Sequence, residues 1–142
     1  FLAKNKEHKE IIINMDENFP NVIGDKSRLE QVFVNLVENA LKYSYLETAI
    51  IIDCDITEDY AYIYVKNKCE IIPQDKLSML FDKFVRLDDN TTRTTRGTGL
   101  GLFIVKGLIE AMHGKITLSS NEEYGFCAEV RLNLVKDEDL LQ

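Results

Sequence analysis

Asn35, Asn39 and Lys42 stand at i, i+4 and i+7 within a segment of helical periodicity, so one stripe of a helix carries two amides and an ammonium. An amide oxygen is a ligand that hard Mg²⁺ accepts, and a lysine meets a phosphate as a point charge. A solvated polar face explains the same residues. Asparagine is a poor helix former, however, and two of them in mid-helix point to a compensating role.

The second feature is Gly97-Thr98-Gly99-Leu100-Gly101-Leu102, which follows a polar stretch and opens a helix. Backbone N–H groups at a helix start, helped by the helix dipole, face an anion well. The turn is not a P-loop, since no Gly-Lys-Ser/Thr follows. A tight turn or close packing accounts for it in isolation. Together the two features predict a site for a nucleotide phosphate and its Mg²⁺.

The elements that must position these residues are legible in outline. Glu10 to Met15 is a β-branched run closed by a turn at Asn18 to Asn21. In Asp25 to Tyr45, Leu29, Val32, Phe33, Leu36, Val37, Ala40 and Leu41 recur at helical spacing behind the plausible N-cap Asp25. Ala49 to Ile56 and Tyr60 to Val65 form a hairpin around Thr57-Glu58-Asp59. Pro73 to Phe84 is expected to be a short helix. The polar stretch Val85 to Arg96 follows neither period and is expected to be a loop, long enough at about twelve residues to suggest a function. Helical spacing resumes over Gly99 to Met112, with His113-Gly114 as the stop signal. Lys115 to Ser119 and Cys127 to Leu134 make a last hairpin around Asn121 to Gly125. Helices and antiparallel hairpins mixed in this way give an α+β class, with one layer of helices on one sheet face.

Composition narrows the function. Hydrophobic residues make up 45% of the 142, enough for one domain with a real core. The 17 basic and 24 acidic residues leave a net charge of −7, which argues against nucleic-acid binding and against membrane contact by this domain. A phosphate must then be held by local geometry. No apolar run approaches the roughly 20 residues needed to span a bilayer. Cys54, Cys69 and Cys127 show no C-x-x-C pair and no zinc spacing, and are expected to be reduced thiols of a cytoplasmic domain; any membrane anchor would belong to a longer parent.

The sequence Asn35-Leu36-Val37-Glu38-Asn39-Ala40-Leu41-Lys42-Tyr43-Ser44 resembles the N box of sensor histidine kinases. Phe81-Asp82-Lys83-Phe84 resembles their F box, and Gly97 to Leu102 their G2 box; Gly24-Asp25, Arg28-Leu29 and Phe84-Val85-Arg86 also match. The resemblance covers about residues 10–134 of a chain taken as a single domain, 1–142. It implies the GHKL ATPase fold, a two-layer α/β sandwich whose mixed sheet of about five strands is backed by about three helices. It implies ATP and Mg²⁺ as ligands, with Asn39 on the metal, Asn35 as a neighbouring polar contact, Lys42 toward phosphate and Tyr43 against adenine. Gly97, Thr98, Gly99, Leu100, Gly101 and Leu102 become the phosphate-binding turn. Residues 85–96 become the ATP lid, with Arg86, Arg93 and Arg96 as candidate phosphate partners. Glu38 either orients or deprotonates an incoming histidine, or is simply an exposed carboxylate.

The resemblance weakens at one place. The family's G1 box reads Asp-x-Gly-x-Gly-Ile-Pro, whereas this chain reads Asn67-Lys68-Cys69-Glu70-Ile71-Ile72-Pro73. Asn67 is expected to accept from the adenine amino group more weakly than a carboxylate, and without glycines the turn must run differently. Two functions follow. One is a kinase module transferring the γ-phosphoryl of ATP to a histidine on a separate dimerisation domain of the same parent, and serving a response regulator. The other is a pseudo-catalytic signalling module with weak or no ATP binding. His8 and His113 lack the context of a phosphoacceptor, and the isolated domain is expected to be a monomer.

Overall fold

The protein is described by a computed structural model over residues 9–82 and 101–136. Within them, eight elements follow in the order β1 (Ile11–Asn14), α1 (Lys26–Tyr43), β2 (Ile50–Ile56), β3 (Tyr60–Asn67), α2 (Gln74–Met79), α3 (Gly101–Ala111), β4 (Lys115–Asn121) and β5 (Gly125–Asn133). The five strands form one sheet in the order β1-β2-β3-β5-β4. β1 runs parallel to β2, and the other neighbours are antiparallel. This is the mixed five-stranded α+β sheet with helical backing that the sequence implies.

Strand alternation decides what the sheet offers each side. Along β3, Ala61, Ile63 and Val65 are buried, while Tyr60, Tyr62 and Tyr64 between them are only half-buried. Ala128, Val130 and Leu132 of β5 and Ile116 and Leu118 of β4 extend the apolar face. Against it pack Val32, Leu36 and Ala40 of α1, Leu77 of α2, and Leu102, Val105 and Ile109 of α3. The opposite face is polar and aromatic. Asn14 donates to Asp53 at 2.7 Å, Lys66 donates to the other oxygen of Asp53 at 2.9 Å, and the Arg131 guanidinium lies 4.4 Å from the Tyr60 ring centre. These contacts tie β1, β2 and β3 together, and β3 to β5.

Two boundaries differ instructively from expectation. The helix expected over 73–84 is limited to six residues, and the chain goes on in three-residue turns, Leu80 N–H to Leu77 O and Asp82 N–H to Met79 O. Pro73 opens that helix with no side-chain cap. At the end of α3, His113 and not Gly114 takes the left-handed conformation, with φ of 61°. Gly114 serves space instead, because a β-carbon there would lie 2.6 Å from the Arg131 carbonyl oxygen.

Ile109 is fully buried between α3 and the sheet. Ile109→Ala is expected to lower the unfolding free energy by about 3 kcal/mol, read from the urea midpoint. Asp53 is more exposed and should matter less. The Asn14 and Lys66 hydrogen bonds hold its carboxyl below the usual carboxylate range, and the Asp53 bond raises Lys66. The Asp53 contribution is therefore present above the ordinary carboxylate pKa and lost as pH falls through the lowered one. The Lys66 contribution is lost only as pH rises through its raised value. Asp53→Asn should cost under about 1 kcal/mol at pH 7, after discounting for solvent screening, and progressively less as pH falls through the lowered pKa.

Candidate functional site

The site is built on α1, and the caps of that helix fix where it begins and ends. The Asp25 carboxylate accepts the Arg28 N–H at 3.1 Å and the Ser27 hydroxyl at 2.9 Å, and these bonds hold its pKa below the ordinary value. The Asp25 N–H reaches Met112 Sδ at 3.4 Å, joining the start of α1 to the end of α3. Gly24 permits this approach, since a β-carbon there would lie 2.9 Å from the same sulfur. At the far end the Ser44 N–H donates to Ala40 O, and Ser44 itself turns to extended backbone.

Between these caps, Val32, Leu36 and Ala40 face the sheet. Helical spacing sets Asn35, Asn39 and Lys42 on a stripe along the border of that buried face. Asn35 and Asn39 are half-buried, as a border requires, while Lys42 and Glu38 are exposed. Tyr43 is half-buried. The Asn35 Nδ2 donates to Gln31 O at 3.0 Å, which leaves its Oδ1 turned toward the start of α3. A β-carbon placed on Gly101 would lie 3.9 Å from that oxygen. The amide stripe thus meets the first residue of the helix that the glycine-rich turn opens. Leu102 follows Gly101 into the core. Gly97, Thr98, Gly99, Leu100, Arg86, Arg93 and Arg96 lie outside the described residues.

The other end of the site forms where β3 stops. Asn67 continues the inward alternation of Ala61, Ile63 and Val65, and so faces the helices although it is polar. It is 3% exposed, and beyond a side-chain hydrogen bond toward the neighbouring Cys69 thiol its Nδ2 has no partner among the described residues. The Ser44 Oγ is likewise buried without a partner. Both residues flank one backbone link, Tyr45 N–H to Lys68 O at 2.8 Å, which joins the end of α1 to the end of β3. An unpaired buried polar group costs about 1–3 kcal/mol, so the end of α1 and the end of β3 each carry a polar atom held at the expense of stability.

The segment after Asn67 runs without glycine. Among the described residues the non-glycines of positive φ are Glu47 and His113, so neither Cys69 nor Ile71 adopts the conformation that a glycine would permit. The close approach is made from the opposite side. Gly125, at φ 89°, has no β-carbon where one would lie 2.4 Å from Asn67 O and 2.7 Å from Cys69 N. Ile72 N–H donates to Ser120 Oγ at 2.9 Å, and that hydroxyl donates to Gly125 O at 2.5 Å. Lys68 Nζ adds a bond to Glu123 O. Burial pushes the Cys69 thiol above the usual range, and pushes Cys127 up to about 11. All three cysteines are free thiols.

Sequence reasoning passed over Ser44 and Gly125. Ser44 carried a faint signal as a polar residue ending an amphipathic helix. Gly125 read only as a hairpin turn, because nothing in the chain order relates it to Asn67. Among the described residues no cluster of three or more His, Cys, Asp or Glu is placed to hold a metal ion.

Comparison with known proteins shows the family to which this fold belongs. Residues 24–136 match the family described as histidine kinase-, DNA gyrase B-, and HSP90-like ATPase. The chain is 39% identical to sensor protein VanS of Enterococcus faecium over 116 residues, covering 82% of this chain and 30% of that protein. It is 40% identical to sensor protein SrrB of Staphylococcus aureus over 96 residues, 68% of this chain and 16% of that one. It therefore spans a third or less of these relatives. The catalytic domain of histidine kinase ThkA superposes with a TM-score of 0.76 at 26% identity, over 94% of this chain and 86% of that one.

The contact at Gly125 is open to direct test. Gly125→Ala forces a side chain into a left-handed conformation and against the backbone of residues 67–69. It should destabilise the fold by about 3 kcal/mol, seen as a lower urea midpoint, whereas Gly107→Ala, with open space around it, should not.

Proposed function

The chain belongs to the histidine kinase-, DNA gyrase B- and HSP90-like ATPase family, and from that premise we propose that it is the ATP-binding catalytic domain of a two-component sensor kinase. Its reaction is transfer of the γ-phosphoryl group of Mg-ATP to a histidine on a separate dimerisation domain of a longer parent protein, with a response regulator downstream. The observation that carries this proposal is the meeting of the Asn35 amide with Gly101, which sets the amide stripe of α1 against the opening of α3. The sensor kinases and histidine kinase domains among its relatives support it.

ATP fits the groups this chain leaves unpaired. Asn67 and Ser44 present buried hydrogen-bonding atoms at the base end, beside the half-buried Tyr43 ring. Asn39 would offer its amide oxygen to Mg²⁺. A magnesium ion keeps several waters and takes most other ligands from substrate phosphates, so one protein oxygen suffices. Lys42 would meet a phosphate, and Gly97 to Leu102 would give it backbone N–H groups. Arg86 and Arg96 would add charge opposite the transferring group. Glu38, exposed one residue from Asn39, would face the incoming histidine. Mg-ATP supplies the phosphoryl group; the chain supplies position and charge.

A second function, a signalling module that binds nucleotide weakly or not at all, draws on Cys69 and Ile71 standing where the family has glycines. His113, exposed and in a left-handed conformation just after α3, lacks the surroundings of a phosphoacceptor.

Calorimetric titration with a non-hydrolysable ATP analogue and Mg²⁺ should give saturable binding, and Asn39→Ala should weaken it at least tenfold, or about 1.4 kcal/mol. No binding at millimolar nucleotide would favour the signalling module instead.

A further inference from the structure

The face of the sheet turned away from the helices carries an imbalance of charge at one end. Cross-strand register sets Asp55, Tyr62, Arg131 and Lys115 side by side in one row across β2, β3, β5 and β4. Arg131 and Lys115 are therefore adjacent cations. Glu129 stands one row further along, between Tyr64 and Thr117, and Tyr62 separates Asp55 from Arg131. Among the described residues Lys66 is matched by Asp53 and Lys136 by Asp59, whereas neither Arg131 nor Lys115 forms an ion pair.

Arg131 is held by stacking and not by a carboxylate. Its guanidinium lies 4.4 Å from the Tyr60 ring centre, and its Nε is buried without a partner among the described residues. With that nitrogen closed off, the outer nitrogens of the fork are the ones left for a hydrogen-bonding partner, and a planar carboxylate fits them. Lys115 is exposed beside it. In a chain of net charge −7, two neighbouring cations without an anion call for one.

The sequence supplies it close by. Past β5 the Leu134 N–H donates to Asp59 O at 3.0 Å and the Lys136 Nζ to Asp59 Oδ1 at 2.6 Å, so the chain is fixed beside Tyr60 as it leaves the sheet. The residues that follow, outside the described ones, read Asp137-Glu138-Asp139-Leu140-Leu141-Gln142. The row of Tyr62 and Arg131 lies about 7 Å along the strands from Tyr60, and each strand crossed adds about 5 Å. Six extended residues reach about 20 Å, enough to fold back over both cations.

We propose that the outer face of the sheet at Arg131 and Lys115 is the docking surface for the acidic segment 137–139 of this same chain. One carboxylate would take the Arg131 fork end-on and another would meet Lys115 Nζ. Leu140 and Leu141 would then cover the half-buried Tyr62 and Tyr64 rings. The contact lies on the side of the sheet away from the helices and does not depend on nucleotide binding.

Amide ¹H–¹⁵N NMR spectra compare the 142-residue chain with a variant carrying Asp137→Asn, Glu138→Gln and Asp139→Asn, which removes charge without touching the described fold. At low salt, the amides of Tyr62, Lys115, Thr117 and Arg131 should shift between the two. Raising salt to about 1 M, where the screening length is about 3 Å, should move the unaltered chain toward the variant at those amides. Differences confined to residues 134–136, or none, overturn the proposal. Differences that fade on dilution at constant salt place the segment on a second copy and overturn it as well. Should the variant lose its dispersed spectrum, the salt titration of the unaltered chain decides, and amides that stand still there overturn the docking.

Discussion

The rotation of α1 about its own axis governs the rest of the molecule. Val32, Leu36 and Ala40 are nearly solvent-free against the sheet, and burying side chains of that size contributes on the order of 1–3 kcal/mol each. A helix held so firmly along one stripe has no freedom left for its neighbouring stripes. Asn35 and Asn39 must lie at the border of the buried face, partly shielded from water and partly reachable. Turning the helix by one residue, or about 100°, would carry both amides away from that border. The packing that stabilises the fold is therefore also what aims the polar residues.

The two ends of α1 meet different parts of the chain, and each meeting depends on an atom that is missing. At one end Gly24 lets Met112 reach the helix start. At the other end Gly125 lets the turn between β4 and β5 press on the backbone of residues 67–69. No glycine stands between Asn67 and Pro73, and the room at the end of β3 is left by Gly125 of the neighbouring strand. The close approach is a property of a pair of segments, and either partner can supply the space.

The sheet keeps its two faces chemically apart by strict alternation. Toward the helices β3 is Ala61, Ile63, Val65 and then Asn67, and only the last is polar. Away from them it presents Tyr60, Tyr62, Tyr64 and Lys66, which stack on one another or pair with Arg131 and Asp53. Asn67 is the exception to the inward pattern, and exceptions of that kind are where a binding group is placed at the cost of stability.

Much of this was legible in the residues. Periodicity gave α1 and the strand pairs to within a few residues, because core burial repeats with the period of the element. The N-box stripe and the glycine-rich turn were legible as local spacing. Less was legible where the chain stops obeying one period, as in the helix after Pro73, which shortens to six residues. What the sequence could not state is which residues meet. Asn35 with Gly101, Ser44 beside the Tyr45–Lys68 link, and Gly125 against Asn67 are contacts between segments distant along the chain. The composition of each segment is fixed by its own residues, whereas an unpaired amide is a statement about everything that surrounds it. Only the folded arrangement decides that, because hydrogen-bond satisfaction and burial are properties of neighbours in space.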